Sequence, residues 1–280
     1  MRAARDVGIN FLDDARYDDE TGAAPIPTGY SEVLFGELFR EVGWRRDETV
    51  VANKLWWEFW PAESAAAELD GSLTRMRMDH VDLVYTLPPP EGLGLEELVE
   101  SVTGLITAGK ARAWGVVNWP ADLMVDASAV AARHGLPRPC AAQLRYSLVE
   151  RSPVEDRSMA EALTRCDASV VASFTLAGGV LSGKYDADSA GGRAAATLDD
   201  PRVAFAAAAG RRLREIAASL DTRPATLAIA FALANPAVAS VLFGATSPMQ
   251  VQQNAAAIEV LDALDDAQLA RLDSIGRPVS

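Results

Sequence analysis

Short apolar runs recur along the chain, each followed by a longer stretch in which apolar residues return every three or four positions. The runs at Gly8–Asp13, Thr49–Leu55, Val81–Leu87, Ala113–Asn118, Cys140–Arg145, Ser169–Leu176 and Val238–Gly244 predict seven strands, because strands covered on both faces read as near-continuous apolar segments. The intervening patterns predict helices near Ser31–Val42, Ala62–Arg75, Leu95–Thr107, Pro120–His134, Pro153–Arg165, Ala206–Leu220, Pro224–Ala234 and Pro248–Ile258. Such alternation is the mark of repeated βα units around a parallel sheet. The units follow one another without a break in composition, which favours a closed α/β barrel forming a single domain, 1–280, over two doubly wound halves. Two segments read as loops. Asp18–Gly29 is polar and carries Gly22, Pro25, Pro27 and Gly29, and Asp186–Val203 is rich in Asp and Gly with Arg193 and Arg202. Loops of this length are either functional lids or unstructured insertions.

Two opposite charges close two of the apolar runs: Asp13 ends the first and Lys54 lies near the end of the second. An unpaired charge there would be costly. In parallel sheets ligands gather beyond the carboxyl ends of the strands, so the two predict an active site there. An aspartate can hold a lysine ammonium charged, and the ammonium can lower the pKa of a nearby tyrosine so that it handles a proton. A structural ion pair closing two strand ends is the competing reading. After Lys54 comes Leu-Trp56-Trp57-Glu-Phe59-Trp60, an aromatic run at the same face that suits a bulky or ring-containing substrate or covers the rim. At the far end of the chain, Val238–Gly244 runs through a glycine turn into Ser247-Pro248-Met249-Gln250. This predicts a helix N-terminus able to bind an anion, and equally a capping box of Ser247 with Gln250.

Composition narrows the partners. The net charge of −13 argues against nucleic acid and anionic membranes as partners. Apolar residues make up 49% of the chain without any stretch near the ~20 that a membrane helix needs, so a membrane protein is not expected. The start, Met-Arg-Ala-Ala-Arg-Asp-Val-Gly, lacks the apolar core of a signal peptide, and a cytoplasmic location is the expectation. Cys140 and Cys166 lack CxxC spacing, and His80 and His134 are the only histidines, which predicts neither disulfide nor metal site.

Several segments, in order, carry a resemblance: Gly8-Ile-Asn-Phe-Leu-Asp13-Asp-Ala15, Asn53-Lys54, Asp79-His-Val-Asp82-Leu83, Gly109-Lys-Ala-Arg-Ala-Trp-Gly115-Val-Val-Asn118, Gln143-Leu-Arg-Tyr146-Ser, Leu176-Ala-Gly-Gly179-Val-Leu-Ser-Gly-Lys184 and Gly244-Ala-Thr-Ser-Pro-Met-Gln250 with Asn254. Together they resemble the aldo-keto reductase family, in particular its branch with the potassium-channel β subunits. The resemblance implies an α/β barrel of eight strands that binds NADPH (NADP+) and reduces a small-molecule carbonyl substrate, an aldehyde or ketone. It implies catalytic roles for Asp13, Lys54 and a tyrosine; Asp18 occupies the family's tyrosine position, so the tyrosine is Tyr17, one residue early in a loop that can adjust, or Tyr30 beyond the loop. It assigns Asn118 and Gln143 to the nicotinamide, Leu176 and Lys184 to the pyrophosphate, Gly244, Thr246, Gln250 and Asn254 to the adenosine end, and Leu87 to the substrate side, where Trp56 and Trp57 of the aromatic run are the other expected contacts.

The chain departs from the family pattern at several points. Leu87 stands where the family has a catalytic histidine, Val117 replaces a serine, Gln253 replaces an acidic residue, and Ser173-Phe174-Thr175 replaces an aromatic-Ser-Pro run. With seven strands the first family strand is missing, which predicts either a start further upstream or a chain unstable alone. The altered set implies slow ketone reduction, or a cofactor-binding protein with little turnover acting as a sensing or partner-binding module.

Overall fold

The computed structural model describes residues 1–183 and 200–277. Seven parallel strands alternate with helices, the plan of a (β/α) barrel with one strand fewer. The strands are β1 Phe11–Asp13, β2 Val50–Leu55, β3 Val81–Thr86, β4 Ala111–Val117, β5 Ala141–Arg145, β6 Ser169–Ser173 and β7 Val238–Val241. The helices are α1 Arg2–Asp6, α2 Tyr30–Val42, α3 Ala65–Met76, α4 Leu95–Thr107, α5 Ala121–His134, α6 Ser152–Glu155, α7 Arg157–Cys166, α8 Pro201–Ser219, α9 Pro224–Leu233, α10 Pro248–Ala255, α11 Ala257–Ala263 and α12 Asp266–Ile275. Two compact units are distinguished, Met1–Gln143 with Glu161–Ser169, and Leu144–Ala160 with Val170–Ser280. Among the described residues no single helix is long and apolar enough to cross a membrane.

All seven predicted strands are present, several of them shorter than expected. β1 begins only at Phe11, because Gly8 takes a left-handed φ of 79° on leaving α1. β6 stops at Ser173, where Phe174 turns left-handed at φ 59°. The predicted helix Pro153–Arg165 is two helices. Asp156 between them is extended (φ −60°, ψ 138°), a conformation that ends α6 and suits an aspartate leading into α7. The predicted Pro248–Ile258 helix likewise divides at Ala256 into α10 and α11. The α12 helix was not among the expected elements, although Asp265 and Gln268 form a full capping box at its start. Of the predicted 186–203 loop only residues 200–203 are described, and Pro201–Val203 already belong to α8.

In the first unit the register aligns Lys54 with Tyr85, Tyr85 with Gly115, and Gly115 with Ala141. Gly115 is required there. A Cβ would lie 2.5 Å from the Ala141 carbonyl oxygen and 3.0 Å from the Tyr85 ring. The helices that back this sheet bury Leu69, Met76, Leu98, Val102 and Met124, while Trp114 is enclosed and donates its indole N–H to the Pro137 carbonyl at 2.8 Å. α2 and α3 approach closely at Gly36, where a Cβ would stand 2.0 Å from the Met76 carbonyl oxygen.

The second unit is built on the parallel pair β6 and β7, bulged between Val170 and Val171. Its apolar centre is α9, with Leu227 to Ala232 all buried, and Ile229 and Ala230 pack with Ala257 of α11.

Candidate active site

Asp13 and Lys54 meet at the carboxyl ends of β1 and β2. The Lys54 Nζ lies 2.6 Å from Asp13 Oδ2, and the two side chains are 4% and 12% exposed. Gln143, at the matching position of β5, donates from Nε2 to Asp13 Oδ1 at 3.1 Å. Both oxygens of Asp13 are therefore held, one by a charge and one by an amide, which fixes the carboxylate plane. The short Lys54–Asp13 contact is a charge-assisted hydrogen bond, the strong kind.

Tyr17 sits beside this pair. Its ring centroid is 5.9 Å from Lys54 Nζ, and its ring packs edge-on against Trp56 at 5.8 Å. The expectation that Lys54 would lower the tyrosine's pKa is corrected. Burial raises it, and the pull of Lys54 is outweighed, with Asp13 and Asp14 adding to the rise. The hydroxyl thus stays protonated at neutral pH. The ring is nonetheless 47% exposed, so a substrate can reach it. Tyr30 instead opens α2.

The predicted loop Asp18–Gly29 is an organised turn that anchors Tyr17 at its base. Asp18 bridges to Thr28 and accepts from its hydroxyl at 2.7 Å, and Asp19 accepts from Thr21 and Ala24. These bonds hold the Asp19 carboxyl down at about 2. The Gly29 N–H donates to the Tyr17 carbonyl at 2.8 Å.

Three buried residues not expected from the sequence support this arrangement. Glu32 of α2 is fully buried and accepts from Asn53 Nδ2 at 2.8 Å and Arg75 Nε at 2.6 Å, while Asn53 Oδ1 accepts from the Lys54 N–H. Glu68 of α3 accepts from the backbone N–H groups of Trp56 and Trp57 and pairs with Arg16 at 3.1 Å. Arg16 also reaches Glu63 and packs its guanidinium over Phe59. The aromatic loop is thereby tied to α3 through one buried carboxylate, whose pKa is raised by burial against the pull of those donors. The signal for both carboxylates was present in the helical period, since Glu32 shares a face with Phe35, Gly36 and Phe39, and Glu68 with Ala65, Leu69 and Ser72.

The structure distributes the remaining expected residues unevenly. Trp56 flanks Tyr17, with its indole N–H buried and without a hydrogen-bond partner. Trp57 lies beneath the surface, 3% exposed, and spends its indole N–H on Thr86 at 2.7 Å, so it supports the rim and offers a substrate little area. Leu87 follows β3, half-buried, and its side chain offers no polar group. Tyr85, one strand from Lys54, is fully buried with its hydroxyl unpartnered; burial and the charge of Asp13 push its pKa up, with Gln143 pulling against that rise.

Fit to a nicotinamide rests on Asn118. It is exposed, held left-handed at φ 51°, and its backbone N–H donates to the Gln143 carbonyl at 2.9 Å. An exposed carboxamide complements the donor and acceptor of a nicotinamide carboxamide, so this residue fits the group.

The residues assigned to the rest of the cofactor lie in the second unit. Gly244 is exposed with open space where a Cβ would stand, which permits close approach of a ligand. Gln250 turns its Oε1 to the Thr246 N–H and hydroxyl at 2.8 and 3.1 Å. The predicted capping box is thus only half formed: Ser247 accepts from the Gln250 N–H, and the glutamine reaches Thr246 instead of returning to Ser247. Asn254 is buried, Leu176 packs against Ile229 and Ala230, and Lys184 lies outside the described residues. Phe174, of the run that replaces aromatic-Ser-Pro, has the Arg145 guanidinium 3.9 Å from its ring centroid.

The Aldo/keto reductase family matches residues 1–277. A probable voltage-gated potassium channel subunit beta of Oryza sativa subsp. japonica is 31% identical, over 98% of this chain and 85% of that protein. Its namesake in Arabidopsis thaliana is 29% identical over the same shares, and a putative one in Schizosaccharomyces pombe is 29% identical over 98% and 82%. The chain belongs to the aldo/keto reductase family.

Proposed function

We propose that this protein is an NADPH-dependent oxidoreductase that reduces the carbonyl group of a small aldehyde or ketone in the cytoplasm. The observation that carries the reading is the buried Lys54–Asp13 pair with the protonated Tyr17 beside it. The cofactor, when bound, supplies a hydride to the carbonyl carbon. Tyr17 then gives its hydroxyl proton to the oxygen that becomes the alcohol, and the Lys54 ammonium stabilises the phenolate left behind. Asp13 holds Lys54 in place by a charge-assisted hydrogen bond, and Gln143 holds Asp13. Asn118 and Gln143 would hold the nicotinamide. A Tyr17 hydroxyl held protonated favours reduction, since the reverse reaction needs the phenolate first.

A second reading, a cofactor-binding protein with little turnover that senses redox state or docks a partner, is favoured by Leu87, which cannot orient a carbonyl, and by Phe174, which is spent on Arg145. A panel of aldehydes and ketones with NADPH, followed by loss of the reduced cofactor's absorbance, separates the two. Turnover that is lost in Lys54→Met supports the first; NADPH binding without turnover on any carbonyl supports the second.

A further inference from the structure

The residue before Tyr17 is a buried cation around which the aromatic loop folds. The Arg16 side chain is 6% exposed, and its guanidinium meets three carboxylates: Glu58 at 3.5 Å, Glu63 at 3.0 Å and Glu68 of α3 at 3.1 Å. Its central carbon lies 5.1 Å from the centre of the Phe59 ring. Glu68 carries the tie onward, accepting the Trp56 N–H at 2.9 Å and the Trp57 N–H at 3.2 Å. The Trp56 ring then packs on the Tyr17 ring at 5.8 Å, and that ring lies 5.9 Å from Lys54 Nζ. These contacts close a circle that leaves Tyr17 along the chain to Arg16 and returns to it through Glu68 and Trp56. The backbone of the same segment is held separately, since Ser31 Oγ donates to the Ala15 carbonyl and the Gly29 N–H to the Tyr17 carbonyl, each at 2.8 Å. With that backbone fixed, the attitude of the Tyr17 ring depends on the wall it packs against. Buried ion pairs contribute little net stability, so stability alone does not account for a guanidinium at this place. A planar fork can meet acceptors on several sides at once, which an ammonium cannot.

We propose that Arg16 is a positioning residue, which docks the aromatic loop beside the proton donor so that the Trp56 ring fixes the Tyr17 ring over Lys54. The proposal rests on the reading of Tyr17 as that donor. Arg16 is not a reacting group; it acts through Glu68 and Trp56. Loss of the fork frees the loop, lets Tyr17 swing and admits water around its ring, while the Asp13–Lys54–Gln143 contacts stay as they are.

The test compares the native protein with Arg16→Lys, which keeps the charge and loses the fork. Two quantities are read: the single-turnover rate of NADPH oxidation by the fastest carbonyl of the panel, and the tyrosinate midpoint of Tyr17 in the cofactor-free protein. For the second, 3-fluorotyrosine brings the transition to milder pH, and subtraction of the matching Tyr17→Phe protein isolates Tyr17. The expected rate is lower by about tenfold or more with NADPH affinity unchanged. The expected midpoint is lower by about half a pH unit, because the ring gains water. In the Tyr17→Phe background Arg16→Lys leaves the residual rate unchanged, since the effect passes through the missing hydroxyl. An unmoved midpoint, or the same proportional loss of rate with and without that hydroxyl, overturns the proposal. If Arg16→Lys does not fold, Glu63→Gln loosens one of the three ties at a part-exposed position and is read in the same way. A lowered midpoint in a protein that turns over no carbonyl overturns the carbonyl-reduction reading and upholds the role of Arg16. Turnover with an unmoved midpoint overturns the role of Arg16 alone.

Discussion

Asp14 is 9% exposed, with its Oδ2 buried and without a hydrogen-bond partner, and has a consequence for stability that can be worked out in sign and size. In the unfolded chain its carboxyl ionises near 3.8, and in the folded protein near 7. Between those values the folded state holds a proton that the unfolded state has released, so stability falls as pH rises through the window. Each pH unit is worth about 1.4 kcal/mol, which puts the total loss at about 4 kcal/mol above pH 7. About 3 kcal/mol of it falls between pH 5 and pH 8. Asn does not titrate, so Asp14→Asn gains on the native protein by that amount over the same interval. Urea unfolding of both proteins at the two pH values, followed by the fluorescence of the six tryptophans, measures the double difference, and titration of every other group cancels from it. A native-to-variant difference that is the same at both pH values, within about 0.5 kcal/mol, refutes the assignment of a buried, cation-free carboxyl to Asp14.

Three further outcomes are expected. Gly36→Ala drives a Cβ to 2.0 Å from the Met76 carbonyl oxygen, where only backbone can yield, and lowers stability by about 3 kcal/mol or more in chemical denaturation. Glu68→Ala leaves the N–H groups of Trp56 and Trp57 unpartnered and takes one of its carboxylates from Arg16, which keeps Glu63, costing about 2–3 kcal/mol and increasing quenching of the tryptophans by acrylamide. Because the Tyr17 hydroxyl is held above its ordinary pKa of 10.0, the rate of carbonyl reduction stays level from neutral to mildly alkaline pH while alcohol oxidation climbs with pH, and parallel pH–rate profiles check both.

The strands and most of the helices were legible because period and apolar runs report burial directly. What the pattern left hidden depends on single residues whose conformation is decided by distant contacts. The break at Asp156 is one backbone angle inside an otherwise continuous helical pattern. The Asp13–Lys54 pair was readable, since each charge ends a buried run and needs a partner. Gln143 as the second partner of Asp13 was not, because 130 residues separate the two and only the register of β1 to β5 brings them together. The direction of the Tyr17 shift was misjudged because sequence shows a nearby cation and conceals the burial that outweighs it. Trp56 and Trp57 are adjacent and chemically identical, yet the left-handed turn at Trp57 (φ 60°) sends one ring to Tyr17 and the other beneath Thr86.

The claim on which the account turns is that Tyr17 donates the proton. Tyr17→Phe removes one oxygen from a half-exposed ring and leaves the Asp13–Lys54–Gln143 contacts untouched. Single-turnover reduction of an aldehyde by the NADPH-loaded protein should slow by about 100-fold or more in this variant, with NADPH affinity unchanged. Equal rates in the two proteins would contradict it.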